Sequence, residues 1–243
     1  MSTASRFGVF TSTAAALAGL GVVFLSVPAQ AATDSAVGAQ ISNFQTEMTE
    51  LSGQGDAQAA EVLGQFNALP NGDKERFVQV LNDPEIFKEM FELSEQIPGP
   101  EAPSVATLAD GDLVVEVTSE TGFSEPGGPR LADATTVTRW ASHTHTDKLL
   151  GIKISATKVK TNYQTKGKDT TKVLPGTAES YEYIPGCSLG HGVVDEWISA
   201  APADNAQTET IWTADCGGST WDGRQRVWGD YRGYVGGYLK VFK

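Results

Sequence analysis

The sequence contains few of the residues from which metal centres and disulfide frameworks are built. It has only two cysteines, Cys187 and Cys216, and three histidines in 243 residues. Two cysteines without a C-x-x-C spacing exclude a thiolate metal centre and a disulfide-rich miniprotein. The formal net charge is −12. An acidic chain is a poor general binder of nucleic acid, so we predict no nucleic-acid partner.

Long apolar runs are also scarce, because the sequence has one such run and it lies near the N-terminus. Arg6 is the only charged residue before Asp34, and Pro28 ends the apolar stretch between them. Ala29-Gln30-Ala31 then offers the small residues that a signal peptidase accepts. We predict a secretory signal peptide over residues 1–31, cleaved after Ala31, and no membrane span in the mature chain. An uncleaved membrane anchor is the alternative, since the run is long enough to cross a bilayer.

Export determines the predicted state of the two cysteines. In an oxidising compartment Cys187 and Cys216 are expected to form a disulfide. Closing a loop of about 30 residues would stabilise the fold by roughly 3–4 kcal/mol in the chain-entropy model. Two free thiols are the alternative.

The chain changes composition near residue 100. Residues 32–103 contain 13 acidic and three basic side chains, and all tryptophans and tyrosines lie after them. Apolar residues recur at three-to-four spacing from Ile41 to Leu93, which predicts three or four short helices over 32–97. Three prolines in the segment that follows predict a linker over 98–109, because proline cannot continue a helix or join a central strand.

Residues 110–243 have the pattern of β-structure. Short alternating segments rich in β-branched and aromatic residues follow one another, with no helical run between them. Such spacing predicts an antiparallel sandwich or barrel. The predicted fold class is therefore α+β, with a short helical segment before a disulfide-bonded β-domain.

Four stretches of the β-half carry a resemblance. Residues 137–140, 151–153, 163–167 and 221–228 resemble the β-rich C-terminal region of uncharacterised secreted proteins from actinobacteria. The resemblance covers roughly the last 110 residues. It implies secretion and a β-rich fold, and it implies no activity, because no activity is assigned to that group.

One hydrolase motif occurs in the β-half. Gly186-Cys187-Ser188-Leu189-Gly190 matches G-x-S-x-G. In hydrolases this motif needs a strand–turn–helix elbow, followed by an acid and then a histidine. Here the flanks are β-like, and His191 lies too close to follow an acid in that order. A glycine-rich loop around the disulfide is the favoured interpretation over a serine hydrolase.

The histidines suggest a metal site as one hypothesis. His143 and His145 lie on one face of a strand, because side chains alternate with period two. His191 could add a third nitrogen, and such a set can hold zinc. The sequence around His143 favours a strand end running into a polar loop. Solvent-facing histidines are therefore the favoured interpretation, and no cofactor is predicted.

Lysines are concentrated on a predicted hairpin with its turn at residues 166–169. Seven of them against two aspartates give this region a local net charge of +5. A solvated face with edge-protecting lysines is the simplest interpretation. An anion-binding face, or internal docking of the acidic helices by charge complementarity, are the alternatives.

Aromatic and arginine side chains are concentrated near the C-terminus. The candidate ligand-binding residues are Trp221, Trp228, Tyr231, Tyr234, Arg224 and Arg226. Aromatic rings and arginines on a sheet face bind sugars, carboxylates and other rings. The same residues also pack well in a sheet core, so a buried role is the alternative.

The sequence favours a secreted, non-catalytic binding module. Its predicted partner is a cell-wall glycan or a surface protein, and its oligomeric state stays open. A secreted hydrolase or metal-dependent enzyme is one alternative. A toxin-like effector, in which residues 32–103 form a prosegment that masks the β-domain, is the other.

Overall fold

The computed structural model describes residues 29–83, 85–86, 89–90, 92–93, 97, 104–124, 136–216 and 219–242. The predicted signal peptide lies outside these residues up to position 28, and the predicted cleavage site Ala31 falls in the first turn of the first helix. Its cleavage therefore stays a prediction. No helix among the described residues is long and apolar enough to cross a membrane.

Three helices lie where the apolar spacing predicts them. They are α1 (Ala29–Gly53), α2 (Ala57–Ala68) and α3 (Asn71–Leu81). Asp56 caps α2, because its carboxylate accepts hydrogen bonds from the backbone N–H groups of Gln58 and Ala59, at 2.9 and 3.0 Å. The described positions from 85 to 93 are helical as well, which agrees with the prediction of three or four short helices over 32–97.

Within the described residues, ten strands form two antiparallel sheets, which confirms the predicted α+β class with a β-sandwich. The first sheet is a meander in the order β1-β2-β3-β4-β5. Its strands are β1 (Ser104–Leu108), β2 (Leu113–Ser124), β3 (Thr136–Leu149), β4 (Ile152–Lys166) and β5 (Asp169–Glu182). The predicted hairpin turn joins β4 to β5, and Gly167 adopts the positive φ of 63° that this two-residue turn needs.

The second sheet has the order β10-β9-β8-β6, and β7 also pairs with β8. Its strands are β6 (Cys187–His191), β7 (Asp195–Ile198), β8 (Ala206–Cys216), β9 (Ser219–Asp230) and β10 (Gly233–Phe242). The predicted disulfide joins Cys187 to Cys216, which are directly opposite each other on β6 and β8.

Two boundaries differ from the sequence prediction. Within the linker predicted over 98–109, residues 104–108 form β1, which pairs with β2, so the sandwich begins at Ser104 rather than at residue 110. The glycine-rich loop predicted at 186–190 forms strand β6 from Cys187 onward. In both places an edge position in the sheet allows a short strand that local composition does not reveal.

The helices pack on one end of the sandwich through an apolar core. Phe44, Phe66 and Phe77, one from each helix, form a triangle with ring centroids 4.8–5.2 Å apart. The same buried cluster continues into the sheet through Leu113 and Leu149. Apolar burial therefore holds the two halves together.

Polar contacts at this seam differ from the predicted charge docking. The Tyr183 hydroxyl donates to the Asp56 carboxylate at 3.0 Å. The ion pair across the seam joins Arg76 of α3 to Asp112 at 2.6 Å, so here the helix supplies the cation. In the described part of the chain, no helical carboxylate pairs with a lysine of β4 or β5. α2 packs against β4 of that hairpin, but among the described residues no ion pair contributes to the contact, so docking by charge complementarity stays a prediction.

Candidate functional site

The aromatic residues predicted near the C-terminus are divided between two faces of the second sheet. Along β9, Gly223, Gln225 and Val227 are buried in the sandwich, whereas Arg224 and Trp228 lie on the outer face. This alternation follows from the two-residue period of a strand. The six candidate residues therefore do not form one contiguous patch.

An arginine and three aromatic rings form a cluster on the outer face. We call this cluster the arginine–aromatic platform, and its members are Trp197, Arg226, Trp228 and Tyr238. Glu209 and Arg224 lie beside it. The guanidinium carbon of Arg226 lies 4.9 Å from the ring centroid of Trp197 and 5.5 Å from that of Tyr238. Trp228 meets Tyr238 edge-to-face at 6.1 Å. Cation–π contacts on both sides fix the plane of the guanidinium.

Glu209 holds the cations of the platform in place. It lies opposite Arg226 in the pairing of β8 with β9. Its carboxylate accepts from the Arg226 Nε at 2.6 Å and lies 3.3 Å from the Arg224 Nε. The Glu209 side chain is only 15% exposed, so water screens these ion pairs less than it screens fully exposed ones. The platform is therefore pre-organised before any ligand binds.

A glycine on the neighbouring strand lets Trp228 lie flat on the sheet. The indole covers Gly236 of β10, where an added Cβ would fall 2.4 Å from the Trp228 Cζ2 atom. Any larger residue there would push the ring away. In the same row of paired residues Gln207 separates Trp197 from Trp228. The backbone positions of the two tryptophans are thus two strand spacings apart, about 10 Å.

The remaining aromatic candidates lie elsewhere. Tyr234 points into the sandwich, where its ring stacks on His143 with 6.4 Å between centroids. Trp221 is partly buried and lines a small interior cavity together with Trp212 and Leu239. Tyr231 lies in the turn between β9 and β10, with the Arg232 guanidinium 5.6 Å from its ring centroid.

The prediction of solvent-facing histidines is wrong for two of the three. His143 and His145 lie inside β3 rather than at a strand end, and their exposed fractions are 1% and 4%. Burial lowers the pKa of His143 to about 4, and burial together with the neighbouring His143 lowers that of His145 well below its usual value. Both rings are therefore neutral at physiological pH.

A buried glutamine connects the two sheets at His143. Gln225 of β9 donates through its Nε2 to the His143 carbonyl at 2.9 Å. Its Oε1 accepts from the Trp212 indole N–H at 2.7 Å. His191 lies on the exposed side of Trp212, with ring centroids 5.3 Å apart. Trp212 and Gln225 thus lie between His191 and the buried pair, and within the described ranges no three His, Cys, Asp or Glu side chains could hold a metal ion.

Two carboxyl groups share this polar interior. Asp147, Ser155 and Glu182 lie in one row of paired residues across β3, β4 and β5. Burial raises the pKa of Asp147 to about 6 and that of Glu182 to about 8. They line a cavity of about 20 Å³ that His145 and Met90 also contact. No local sequence pattern reveals this row, because strand register brings it together.

The G-x-S-x-G motif does not form a nucleophile elbow. Cys187 of the motif is in the disulfide, and Cys187–His191 is a β-strand paired with β8. The next regular element is strand β7 rather than a helix. The geometry that exposes a catalytic serine in a hydrolase is therefore missing at Ser188.

Comparison with known proteins identifies no relative: no family model matches the chain, and neither a curated protein nor a solved structure matches it.

Proposed function

We propose that this protein works outside the cytoplasm as a non-catalytic binding module, and that the arginine–aromatic platform binds a glycan of the cell envelope. The observation that carries the proposal is the pre-organised set of Trp197, Arg226, Trp228 and Tyr238 on an outer sheet face. A sheet can pack without aromatic rings that are partly exposed and held in fixed positions. Such rings therefore favour a binding surface.

The chemistry of the platform suits a sugar chain. The apolar C–H faces of sugar rings pack against aromatic faces, which offer large contact area at small entropic cost. Arg224, Arg226 and Glu209 add charged donors and an acceptor for hydroxyl groups. Trp197 and Trp228 come from strands two positions apart in the sheet, so their indoles offer two stacking positions along an extended chain.

Secretion is supported by two features. The N-terminal sequence has the charge, apolar run and small residues of a signal peptide. The Cys187–Cys216 disulfide persists most readily in an oxidising compartment. The resemblance to secreted actinobacterial proteins supports the same proposal.

The two alternatives have less support. A masking prosegment would have to leave a stable β-domain after cleavage, but here the helices supply Phe44, Phe66 and Phe77 to a core shared with the first sheet. An enzyme would need a catalytic set, and Ser188 lies on a strand without the elbow of hydrolases. A surface protein as partner would use the same platform, because Trp, Tyr and Arg also dominate protein-binding hot spots.

A pull-down on purified cell wall together with a glycan array tests the proposal. We expect the wild-type protein to be retained and the Trp228→Ala/Tyr238→Ala variant to lose at least about tenfold in affinity, since each removed stacking contact contributes about 1 kcal/mol. Phe123→Ala removes an aromatic ring that is 60% exposed on the first sheet and serves as the matched control. Equal retention of both variants, or no retention of the wild type, would reject the glycan proposal.

A further inference from the structure

A groove of about 510 Å³ crosses the outer face of the first sheet, on the side of the molecule away from the platform. Strands β2 to β5 form its floor, and Gln58 of α2 contributes to one wall. The volume is within the range of pockets that bind small ligands. The helical segment therefore forms part of a concave surface besides stabilising the sandwich.

The floor of the groove consists of small side chains. Thr118, Thr144 and Thr146 occupy central positions on β2 and β3, and Ala156 follows on β4. Register places Thr118 opposite Thr144, and Thr146 opposite Ala156. Short side chains in the middle of the sheet leave depth for a ligand, and the threonine hydroxyls can both donate and accept hydrogen bonds.

The charges around the floor are only partly neutralised. Lys148 pairs with Glu116, and Lys158 pairs with Glu120 at 3.1 Å. In contrast, the Lys153 ammonium has no hydrogen-bond or ion-pair partner among the residues that the structure describes.

One carboxylate of the groove is also left without a cation. Glu179 accepts from the Thr177 hydroxyl at 3.5 Å, and within the described part of the chain it pairs with no cation. Register places Glu179 opposite Lys158 on β4, whereas Lys153 lies five residues earlier on that strand. The groove therefore has a free cation towards one end and a free anion towards the other.

We propose that this groove binds a short extended peptide with free termini, whose carboxylate pairs with Lys153 and whose ammonium pairs with Glu179. Five residues of β4 span about 16 Å, and the two side chains can reach inward from that distance. An extended peptide of about four residues covers the remaining span. Its amide groups would hydrogen-bond with the threonine hydroxyls of the floor.

Titration of the full protein with tetra-alanine, followed by amide NMR shifts, tests this site. We expect shifts at residues of the groove, and the same peptide with an amidated C-terminus should bind about three- to tenfold more weakly, because it loses the charge pair with Lys153. Lys153→Ala should weaken the free peptide by the same factor and leave the amidated peptide unchanged. Glu179→Gln should likewise weaken binding of the free peptide. It should leave binding of the N-acetylated peptide unchanged, because that peptide has no ammonium group to pair with Glu179.

Lys172→Ala, an exposed lysine of β5 outside the groove, is the control and should bind the free peptide as the wild type does. Equal affinity for free and capped peptides would overturn the proposal, and so would shifts that map away from the groove or preferential binding of a neutral oligosaccharide there. None of these outcomes depends on the platform, so glycan binding by the second sheet can succeed or fail independently.

Discussion

The C-terminal end of strand β3 and its middle lie in different surroundings. At its C-terminal end Leu149 joins the apolar cluster beneath the helices, together with Phe44, Phe66 and Phe77. Farther back along the same face come Asp147, His145 and His143, which are buried and ionisable. Burying ionisable groups opposes folding, whereas burying phenylalanines favours it. The helical segment thus supplies apolar burial to a sandwich whose middle is polar, and variants in the two regions should behave differently.

The largest effect is expected at the helix-covered end. Phe66→Ala removes a fully buried ring from the phenylalanine triangle, and we expect the free energy of unfolding to fall by about 3–5 kcal/mol. Urea denaturation followed by circular dichroism measures it. The control is Phe123→Ala, whose ring is exposed and whose effect should stay within about 0.5 kcal/mol. Similar losses in both variants would contradict a shared apolar core.

The disulfide is expected to have the next largest effect. The Cys187→Ser/Cys216→Ser variant loses a link that closes a loop with a sequence separation of 29, and we expect a loss of about 3–4 kcal/mol in the free energy of unfolding. Urea denaturation with and without reductant measures it. Reduction should lower the stability of the wild type and leave that of the double variant unchanged. A wild type insensitive to reductant would show that the link contributes nothing.

The polar interior should make stability depend on pH. The pKa of Glu182 rises from its ordinary value of 4.5 to about 8 in the folded protein, mainly through burial. Between these pH values the unfolded chain releases a proton that the folded protein keeps, so the free energy of unfolding falls as the pH rises. Asp147 acts in the same direction between pH 3.8 and about 6. His143, with a pKa lowered to about 4, acts in the opposite direction below pH 6.5.

Glu182→Gln should remove most of the decline in stability between pH 6 and 8. Denaturation midpoints at several pH values measure that slope. Glu179→Gln, an exposed carboxylate on the same strand, is the matched control and should keep the wild-type slope. A Glu182→Gln profile parallel to the wild type would show that Glu182 does not keep its proton in the folded state.

The smallest effect is expected at the polar contact between helix and sheet. Tyr183→Phe removes the hydroxyl that donates to the Asp56 carboxylate, and the expected loss of stability is about 1 kcal/mol. The N-terminal cap of α2 should survive, because Asp56 still accepts from Gln58 and Ala59. Thermal denaturation measures the loss. A variant as stable as the wild type would show that the Tyr183 hydroxyl does not stabilise the seam.

Local patterns were sufficient to predict the helices, the disulfide and most of the strands, but not β1 or β6. The spacing of Phe44, Phe66 and Phe77 along the chain marks buried helix faces, and the hairpin turn at Gly167 follows from its residues. The surroundings of His143 could not be predicted in this way. A strand buried against a second sheet and a strand end in a polar loop have the same local composition, and only pairing between the sheets distinguishes them.

The candidate platform was predicted in part. Alternation along β9 separates Trp228 and Arg226 from the inward-facing positions, but the sequence cannot tell which face is outside. Trp197 was missed as a member of the platform because it comes from β7, far from the aromatic cluster near the C-terminus to which Tyr238 belongs. Strand pairing brings the rings of Trp197 and Tyr238 close to Arg226, and a period-two pattern contains no information about register between distant segments.

The most direct test of the central claim is an NMR measurement of the indole N–H signals while cell-wall glycan fragments are added. The chain has five tryptophans, and two of them, Trp197 and Trp228, belong to the platform. We predict that the signals of these two shift with glycan concentration, while those of the buried Trp212 and of Trp140 on the first sheet stay in place. Shifts confined to Trp140 or Trp212, or no shift at Trp197 and Trp228, would contradict glycan binding by the arginine–aromatic platform.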